Sequence, residues 1–332
     1  MKEAELILAG EKPSYMLASS HISSAIEALK RIGGNNKRIE ELHKLLLMYQ
    51  KNSITELGVV TSGEINIRNY IEGAEKLIEG KEKGDAIFQL GLIGNPPQKS
   101  ALRAQVEKFS KKFLFQHLFS SVAINESGKI IGRQPSMLSE NQEEVEAAIK
   151  VEMYKHAQYH HLLHTQGLVE PARRKIIFDH SVRLKDIFYL VKNNPFVPQG
   201  RELIFAEGLL KGFYGDFLTS AHLLIPQLEN SIRHILYESG KIVSCIDSEG
   251  IQDEKNLNSL LFIQEFEELI SEDIAFDLQG LLVERFGSNL RNRIAHGLMG
   301  YESFFSSELI YLWWLNLHIC CVYKLHYLRA IE

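Results

Sequence analysis

The apolar residues of this chain recur mainly at intervals of three and four, the spacing that places side chains on one face of an α-helix. Near the N-terminus two such runs flank Gly33-Gly34, and they consist of Leu17, Ile22, Ile26 and Leu29, followed by Ile39, Leu42, Leu45, Leu46 and Tyr49. Because paired glycines favour a turn, these runs predict two short helices joined as a hairpin. The same periodicity continues to the end of the chain, so we expect an all-α fold.

Helices are expected over most of the remaining sequence. Their approximate bounds are residues 101–122, 139–168, 172–191, 201–211, 217–235, 272–285 and 306–332. The last of them places Leu309, Trp313, Leu317 and Cys321 on one face. Glycine and polar residues predict a loop over 125–135, and the segment 58–67 could form a small β-hairpin.

Turn-forming residues between positions 193 and 200 divide the chain into two regions. Asn193-Asn194-Pro195 and Pro198-Gln199-Gly200 interrupt the helical pattern there. We therefore expect a mainly helical N-terminal region over residues 1–195 and a C-terminal helix bundle over residues 196–332.

The overall charge excludes a protein that binds nucleic acid through general basicity. The formal net charge is −5 and the pI is about 6.2, whereas such proteins are basic. Any contact with RNA must therefore come from a local patch. Residues 150–192 contain eight lysines and arginines against four acids, and they could form such a patch or simply a solvated helix face.

Cysteine usage and hydropathy indicate a cytoplasmic protein. Cys245, Cys320 and Cys321 lack zinc-finger spacing and are typical of reduced thiols. The N-terminus has no basic region followed by an apolar core, so we expect no signal peptide. The most apolar segment, residues 309–323, is shorter than the roughly 20 residues that span a bilayer. We expect it to be a buried helix, with no membrane partner.

The segment Arg291-Asn292-Arg293-Ile294-Ala295-His296-Gly297 carries the most specific chemistry. Arginine can bind a phosphate through two parallel, charge-assisted hydrogen bonds, and histidine can exchange a proton near neutral pH. On an α-helix Asn292 and His296 share a face, and Arg293 flanks that face. Arg291 lies roughly 140° around the helix from His296. Ser288 or Asn289 could cap this helix.

These groups suit cleavage of RNA without a metal ion, because RNA carries its own nucleophile, the 2′-hydroxyl. Neutral His296 would remove its proton, or protonated His296 would supply one to the leaving 5′-oxygen. Arg291 would offset the charge of the transition state, and Asn292 would orient either His296 or the phosphate. Since one histidine does not easily act as both base and acid, we expect a homodimer that brings two copies of this pair to one groove. The products would be a 2′,3′-cyclic phosphate and a 5′-hydroxyl.

Other interpretations of these residue types stay open. His296 could be buried against a carbonyl, with the arginines paired to acids such as Glu284. His156, His160 and His164 recur every four residues and could hold zinc in a metal hydrolase, although no HExxH glutamate is present and a surface or interface row fits better. A Walker-type phosphate loop and a GxSxG elbow are absent. We expect neither a metal nor another cofactor.

The motif resembles the RNxxxHG signature of a domain family related to the HEPN superfamily. Arg291-Asn292 and His296-Gly297 match its letters. The similarity extends upstream to Phe196-Val197-Pro198, Glu207-Gly208, Gly215-Asp216 and the run from Leu224 to Arg233, and it is best over residues 170–300. HEPN domains are helical bundles, and many are metal-independent RNases with an arginine–histidine pair in a dimeric cleft. The resemblance therefore implies a HEPN-like bundle over residues 196–332.

The resemblance also implies roles for individual residues. Arg291 and His296 would be the catalytic pair, and Asn292 the polar residue that follows the arginine. We assign substrate binding to Arg293, Arg233 and Glu229, of which the last two could also form an i, i+4 pair. Members of the superfamily act in phage defence, abortive infection and toxin–antitoxin systems, so RNA and a regulatory or antitoxin protein are the expected partners. Because some HEPN domains have lost catalysis, a scaffold that binds a nucleotide or a partner protein is the alternative function.

Overall fold

A computed structural model describes residues 2–58, 63–113 and 119–331. Helices account for 68% of the structure and strands for 5%, which confirms the expected all-α fold. The chain divides into two compact units, the first formed by residues 1–64 with 117–145 and the second by residues 65–116 with 146–332.

The sequence-based division at residues 195 and 196 falls inside the second unit. Asn194 donates hydrogen bonds from Nδ2 to the carbonyls of Leu190 and Cys320, at 2.9 and 2.8 Å. Phe196 is fully buried. This turn is therefore anchored in the second unit through Asn194 and Phe196, and it joins two helices of that unit.

The first unit contains a three-helix layer and a β-hairpin. Its elements are α1 (Lys2–Ala9), α2 (Tyr15–Ile32), α3 (Asn36–Ser53), β1 (Ser121–Ile124) and β2 (Ile130–Gln134). The predicted α2–α3 hairpin is confirmed, and its core is formed by Ala4, Ala18, Ile22, Ile26, Leu42 and Tyr49.

Two predictions near this unit are wrong in part. The helix expected over residues 101–122 ends at Lys112, and residues 121–124 form a strand instead. The loop expected over residues 125–135 contains the second strand, which pairs antiparallel with the first. Residues 59–62 of the expected hairpin at 58–67 lie outside the described residues, and residues 63–67 have no regular secondary structure.

The second unit is a larger helical assembly. Its helices are α4 (Arg68–Ile78), α5 (Lys83–Gly91), α6 (Lys99–Lys112), α7 (Gln142–His164, whose first residues belong to the first unit), α8 (Glu170–Asp179), α9 (Leu184–Val191), α10 (Glu202–Phe213), α11 (Phe217–Glu238), α12 (Leu257–Leu260), α13 (Gln264–Ile270), α14 (Glu272–Leu282), α15 (Leu290–Ala295) and α16 (Ser307–Ile331). A π-helical turn at Thr165–Val169 makes α7 and α8 continuous, and β3 (Ser244–Ile246) pairs with β4 (Gln252–Glu254).

Helix α16 runs through the core of this unit. The predicted face of Leu309, Trp313, Leu317 and Cys321 is buried, but so are residues on its other faces, as in a helix that is surrounded by others. Trp313 donates from Nε1 to the carbonyl of Leu209 in α10, and Trp314 donates to the carbonyl of Leu90 in α5, both at 2.9 Å. These two bonds tie α16 to helices on two sides. Across residues 2–58, 63–113 and 119–331, no helix has the length and apolar character needed to cross a membrane.

Candidate functional site

The helix that carries the motif, α15, is fixed by a close approach of the preceding loop to α14. Ser288 donates its backbone N–H to the carbonyl of Gly280 at 2.9 Å. A Cβ on Gly287 would lie 2.0 Å from that carbonyl oxygen, so only glycine fits there. Leu290 then enters the core. Helix α14 ends at Leu282, three residues short of the expected bound at residue 285, and Gly287 serves this close approach.

The first turn of α15 orients Arg291 through two amide side chains. Asn289 occupies the N-cap position in a left-handed conformation, with φ 49°, but its side chain does not cap the helix. Its Oδ1 accepts a hydrogen bond from Asn292 Nδ2 at 2.7 Å. Asn292 Oδ1 in turn accepts one from Arg291 Nη1 at 3.1 Å. Asn292 therefore holds the guanidinium of its neighbour.

Glu229 of α11 lies between two arginines of the candidate site. Its Oε2 is 3.5 Å from Arg291 Nε, and its Oε1 is 3.4 Å from Arg233 Nη2. All three side chains are largely but not completely buried. The i, i+4 pair expected within α11 is present, and the carboxylate also links that helix to α15. Because Glu229 has the same sign of charge as a phosphate, these contacts make it an orienting group for the arginines.

Arg233 extends the cluster to the β3–β4 hairpin. Its Nη2 donates to the carbonyl of Lys255 at 3.0 Å. Its Nε lies 3.1 Å from Glu254 Oε2, close enough for an ion pair although the N–H is not aligned for a hydrogen bond. Nothing in the sequence pattern pointed to Glu254, because the hairpin brings it to Arg233 from 21 residues away.

His296 is exposed at the C-terminal end of α15. Gly297 has φ +63° and donates its N–H to the carbonyl of Ile294, while Leu298 donates to the carbonyl of Arg293, at 3.0 and 2.8 Å. This is the Schellman pattern of a helix end, in which glycine takes the left-handed position. His296 is thereby the C-cap residue, directly after the last residue of α15. Within the described chain its imidazole has no hydrogen-bond partner, so the alternative of a buried histidine is wrong.

The structure joins four of the six predicted site residues directly. Arg291, Asn292, Glu229 and Arg233 form one connected cluster. His296 lies at the opposite end of the same short helix, and no contact joins its ring to the guanidinium of Arg291 within the described part. Arg293 is partly buried on α15. Glu284, the acid considered as an arginine partner, is 3.1 Å from Lys150 instead.

The histidine row of α7 lies partly in a buried polar network that the sequence did not reveal. His161 Nε2 is 2.6 Å from Asp277 Oδ1 in α14, and both side chains are buried. Tyr311 of α16 donates its hydroxyl to Asp277 Oδ2 at 2.8 Å and stacks on His161. His164 packs against Trp314 with ring centroids 4.2 Å apart. The four-residue spacing does not include His161, and no local signal marks Asp277 as its partner.

Burial governs the titration of these rings. It lowers the pKa of His164 to about 3, with smaller contributions from nearby histidines. Burial also lowers the pKa of His160. It raises the pKa of the Tyr311 hydroxyl, and the neighbouring Asp277 raises that pKa further. The network therefore favours neutral rings at His160 and His164 near neutral pH.

A zinc site on this row has no support in the geometry. Among residues 2–58, 63–113 and 119–331, no three or more His, Cys, Asp or Glu side chains are arranged to hold a metal ion. His156 contacts the ring of Phe109 instead of joining the inner histidines.

The basic stretch over residues 150–192 is substantially neutralised by ion pairs. The pairs are Lys150–Glu284, Lys155–Glu152, Arg173–Glu170, Arg174–Glu170 and Lys175–Asp179. This arrangement favours the solvated helix face over a dedicated RNA patch. Arg291 and Arg233 are ion-paired as well, but Asn292 and Glu229 set the orientation of Arg291, which makes these arginines the candidates for binding a phosphate.

Comparison of this chain with protein-family models, curated proteins and solved structures found no match.

Proposed function

We propose that this protein is a metal-independent endoribonuclease of the HEPN type, which cleaves RNA by attack of the 2′-hydroxyl at a composite site in a homodimer. The biological setting we propose is phage defence or a toxin–antitoxin type of stress response. The observation that carries the proposal is the exposed His296 on the same short helix as Arg291, whose guanidinium is held by Asn292 and Glu229.

Arg291 would bind the scissile phosphate with the donors that its neighbours leave available. A guanidinium has five N–H donors, and Asn292 and Glu229 each engage one of them. Because its orientation is already set, little reorganisation is needed when the phosphate arrives. The positive charge then stabilises the phosphorane-like transition state.

His296 would transfer the proton. Its exposed ring can reach a substrate that lies along the surface of α15. In the composite site, one copy of His296 takes the proton of the 2′-hydroxyl and the other donates a proton to the leaving 5′-oxygen, so the two histidines finish with exchanged protonation states. The bond from the 2′-oxygen to phosphorus forms as the bond to the 5′-oxygen breaks.

The test is cleavage of mixed RNA in the presence of EDTA. We expect the wild-type protein to produce 2′,3′-cyclic phosphate ends, and His296→Ala to lose at least about 100-fold in rate. His326→Ala is the matched control, because His326 is also exposed and lies on α16. The control should cleave at the wild-type rate. Unchanged cleavage by His296→Ala would remove the catalytic assignment.

The second candidate is a catalytically silent scaffold that binds a nucleotide or a partner protein. The observation that favours it is the ion-paired state of Arg291, since a cluster of Arg291, Glu229 and Arg233 also ties α15 to α11 as a structural joint. Intact RNA under all conditions, together with tight binding of a nucleotide or protein, would select this candidate.

A further inference from the structure

Two aromatic rings stand exposed shortly after the motif. They belong to the 3₁₀ turn Tyr301–Phe305, in which Tyr301 is 64% exposed and Phe305 is 42% exposed. Their ring centroids are 5.2 Å apart in an edge-to-face arrangement. Phe304, between them in sequence, is buried. The turn thus presents two rings to solvent while a third one anchors it.

The anchor places this turn along the same helix face as the arginine cluster. Phe304 stacks on His222 of α11, with ring centroids 5.5 Å apart. Glu229, which contacts Arg291 and Arg233, follows His222 by seven residues. Seven residues are two helical turns, so Glu229 is offset from His222 by only about 20° and lies about 10 Å further along the axis. The aromatic turn is therefore anchored on the side of α11 that also carries Glu229, the carboxylate that contacts the two arginines.

We propose that Tyr301 and Phe305 form a stacking surface for unpaired bases of a single-stranded RNA whose backbone is held at the arginines beside Glu229. This inference rests on the proposed function and names the substrate class of the same site. Exposed aromatic rings next to cations are how proteins bind single strands, because every base has a face that can stack.

Duplex RNA and a protein partner fit this surface less well. In a duplex the faces of the bases are already stacked on one another, so the rings would gain no contact. A protein partner in a stable complex usually covers about 800 Å² of each surface. Two partly exposed aromatic side chains offer no more than about 300 Å². The small area of the two exposed rings favours a nucleobase.

The experiment measures RNA binding by full-length protein that carries His296→Ala, so that the RNA stays intact. The probe is a short fluorescein-labelled oligoadenylate in EDTA, either alone or annealed to oligouridylate, and the readout is fluorescence anisotropy. Adding Tyr301→Ala and Phe305→Ala together should weaken single-strand binding at least about tenfold. Duplex binding should change less than about twofold, because it depends on the phosphate contacts.

Substitutions of the single tyrosine separate stacking from loss of fold. Tyr301→Phe should bind the single strand as the parent does, whereas Tyr301→Leu, which keeps an apolar side chain without a ring, should lose most of the effect. Phe178→Ala is the matched control, since Phe178 is an even more exposed aromatic residue, on α8. Its affinity should equal that of the parent. Circular dichroism would confirm that each variant is folded.

Three results would overturn the inference: equal binding by the double variant, equal loss for single strand and duplex, or absence of RNA binding by the parent. A loss of self-association in the double variant with single-strand affinity unchanged would assign the rings to a second copy of the chain instead. Failure of the proposed function looks different. In that case wild type leaves RNA uncut, while single-strand binding still depends on Tyr301.

Discussion

At the residue scale, Glu229 sets the orientation of the Arg291 and Arg233 side chains. Replacing it as Glu229→Gln removes the charge that holds Arg291 and Arg233. We expect kcat for RNA cleavage to fall about tenfold, because the guanidinium loses its set orientation. KM should stay the same or decrease, since one negative charge that repels the phosphate is gone. Steady-state cleavage kinetics would separate the two parameters.

The control for this substitution is Glu238→Gln, on the same helix. Glu238 is exposed at the last position of α11, and its carboxylate lies 3.9 Å from His234. A rise in KM with unchanged kcat in Glu229→Gln would contradict an orienting role. That result would instead support direct contact between Glu229 and the substrate, as the sequence pattern first suggested.

Asp277 is the residue on which the buried network of α7, α14 and α16 depends. Asp277→Leu has a similar volume but leaves His161 Nε2 and the Tyr311 hydroxyl without their partner. We expect the free energy of unfolding to fall by about 3–5 kcal/mol. Urea unfolding followed by tryptophan fluorescence would measure it, and Glu268→Gln at an exposed position of α13 serves as the control.

Tyr311→Phe tests whether the stability lost in Asp277→Leu comes from the hydrogen-bond network. This variant removes one hydroxyl and should cost about 1–2 kcal/mol. In the double variant Asp277→Leu with Tyr311→Phe, no orphaned hydroxyl remains, so the combined loss should be smaller than the sum. Strict additivity would mean that the two side chains act independently.

At the scale of elements, Gly297 sets where α15 ends. Gly297→Ala has space for its methyl group, since nothing lies within 4 Å, but it must adopt φ +63°. We expect it to lower the free energy of unfolding by about 1 kcal/mol and to disturb the position of His296. Gly297→Asn should cost less, because asparagine tolerates this conformation. Equal losses in both variants, measured by urea unfolding, would contradict this explanation.

Elements with strong helical periodicity were predictable, while those decided by distant contacts were not. Helices α2, α3 and α16 follow from apolar spacing, and Gly33-Gly34 marks the turn between the first two. The helix expected to reach residue 122 fails because β1 is stabilised by pairing with β2, a partner that periodicity does not reveal. The role of Gly287 also depends on a distant contact, since the carbonyl that it approaches belongs to Gly280.

At the scale of the whole molecule, buried histidines make stability depend on pH. The pKa of His164 is about 3 in the folded protein and about 6.5 in an unfolded chain. Below pH 6.5 the unfolded state therefore binds a proton that the folded state does not, down to about pH 3. Stability should be full above pH 6.5 and decline by a few kcal/mol as the pH falls through this window.

Urea unfolding at pH 7 and at pH 4.5 would measure this decline, and His164→Leu should show a shallower one than wild type. His326→Leu changes an exposed histidine and should keep the wild-type slope. If His164→Leu keeps the full decline as well, another group is responsible for it.

The candidate site was predictable only where its residues lie close together in the sequence. Arg291, Asn292 and His296 are visible as a motif, and Glu229 with Arg233 as a helical pair. The link between the two, from Arg291 to Glu229, spans 62 residues and depends on how α11 and α15 pack. No local pattern marks Glu254 or Asp277 as a partner, so only the folded chain identifies them.

The two adjacent indoles on α16 are the only tryptophans in the sequence, and both are buried in the second unit. Tryptophan emission therefore does not report on the three-helix layer near the N-terminus. A melting curve followed by tryptophan fluorescence reports on the larger unit alone. Far-ultraviolet circular dichroism reports on the helices of both units. A difference between the two unfolding midpoints would show that the two units unfold independently.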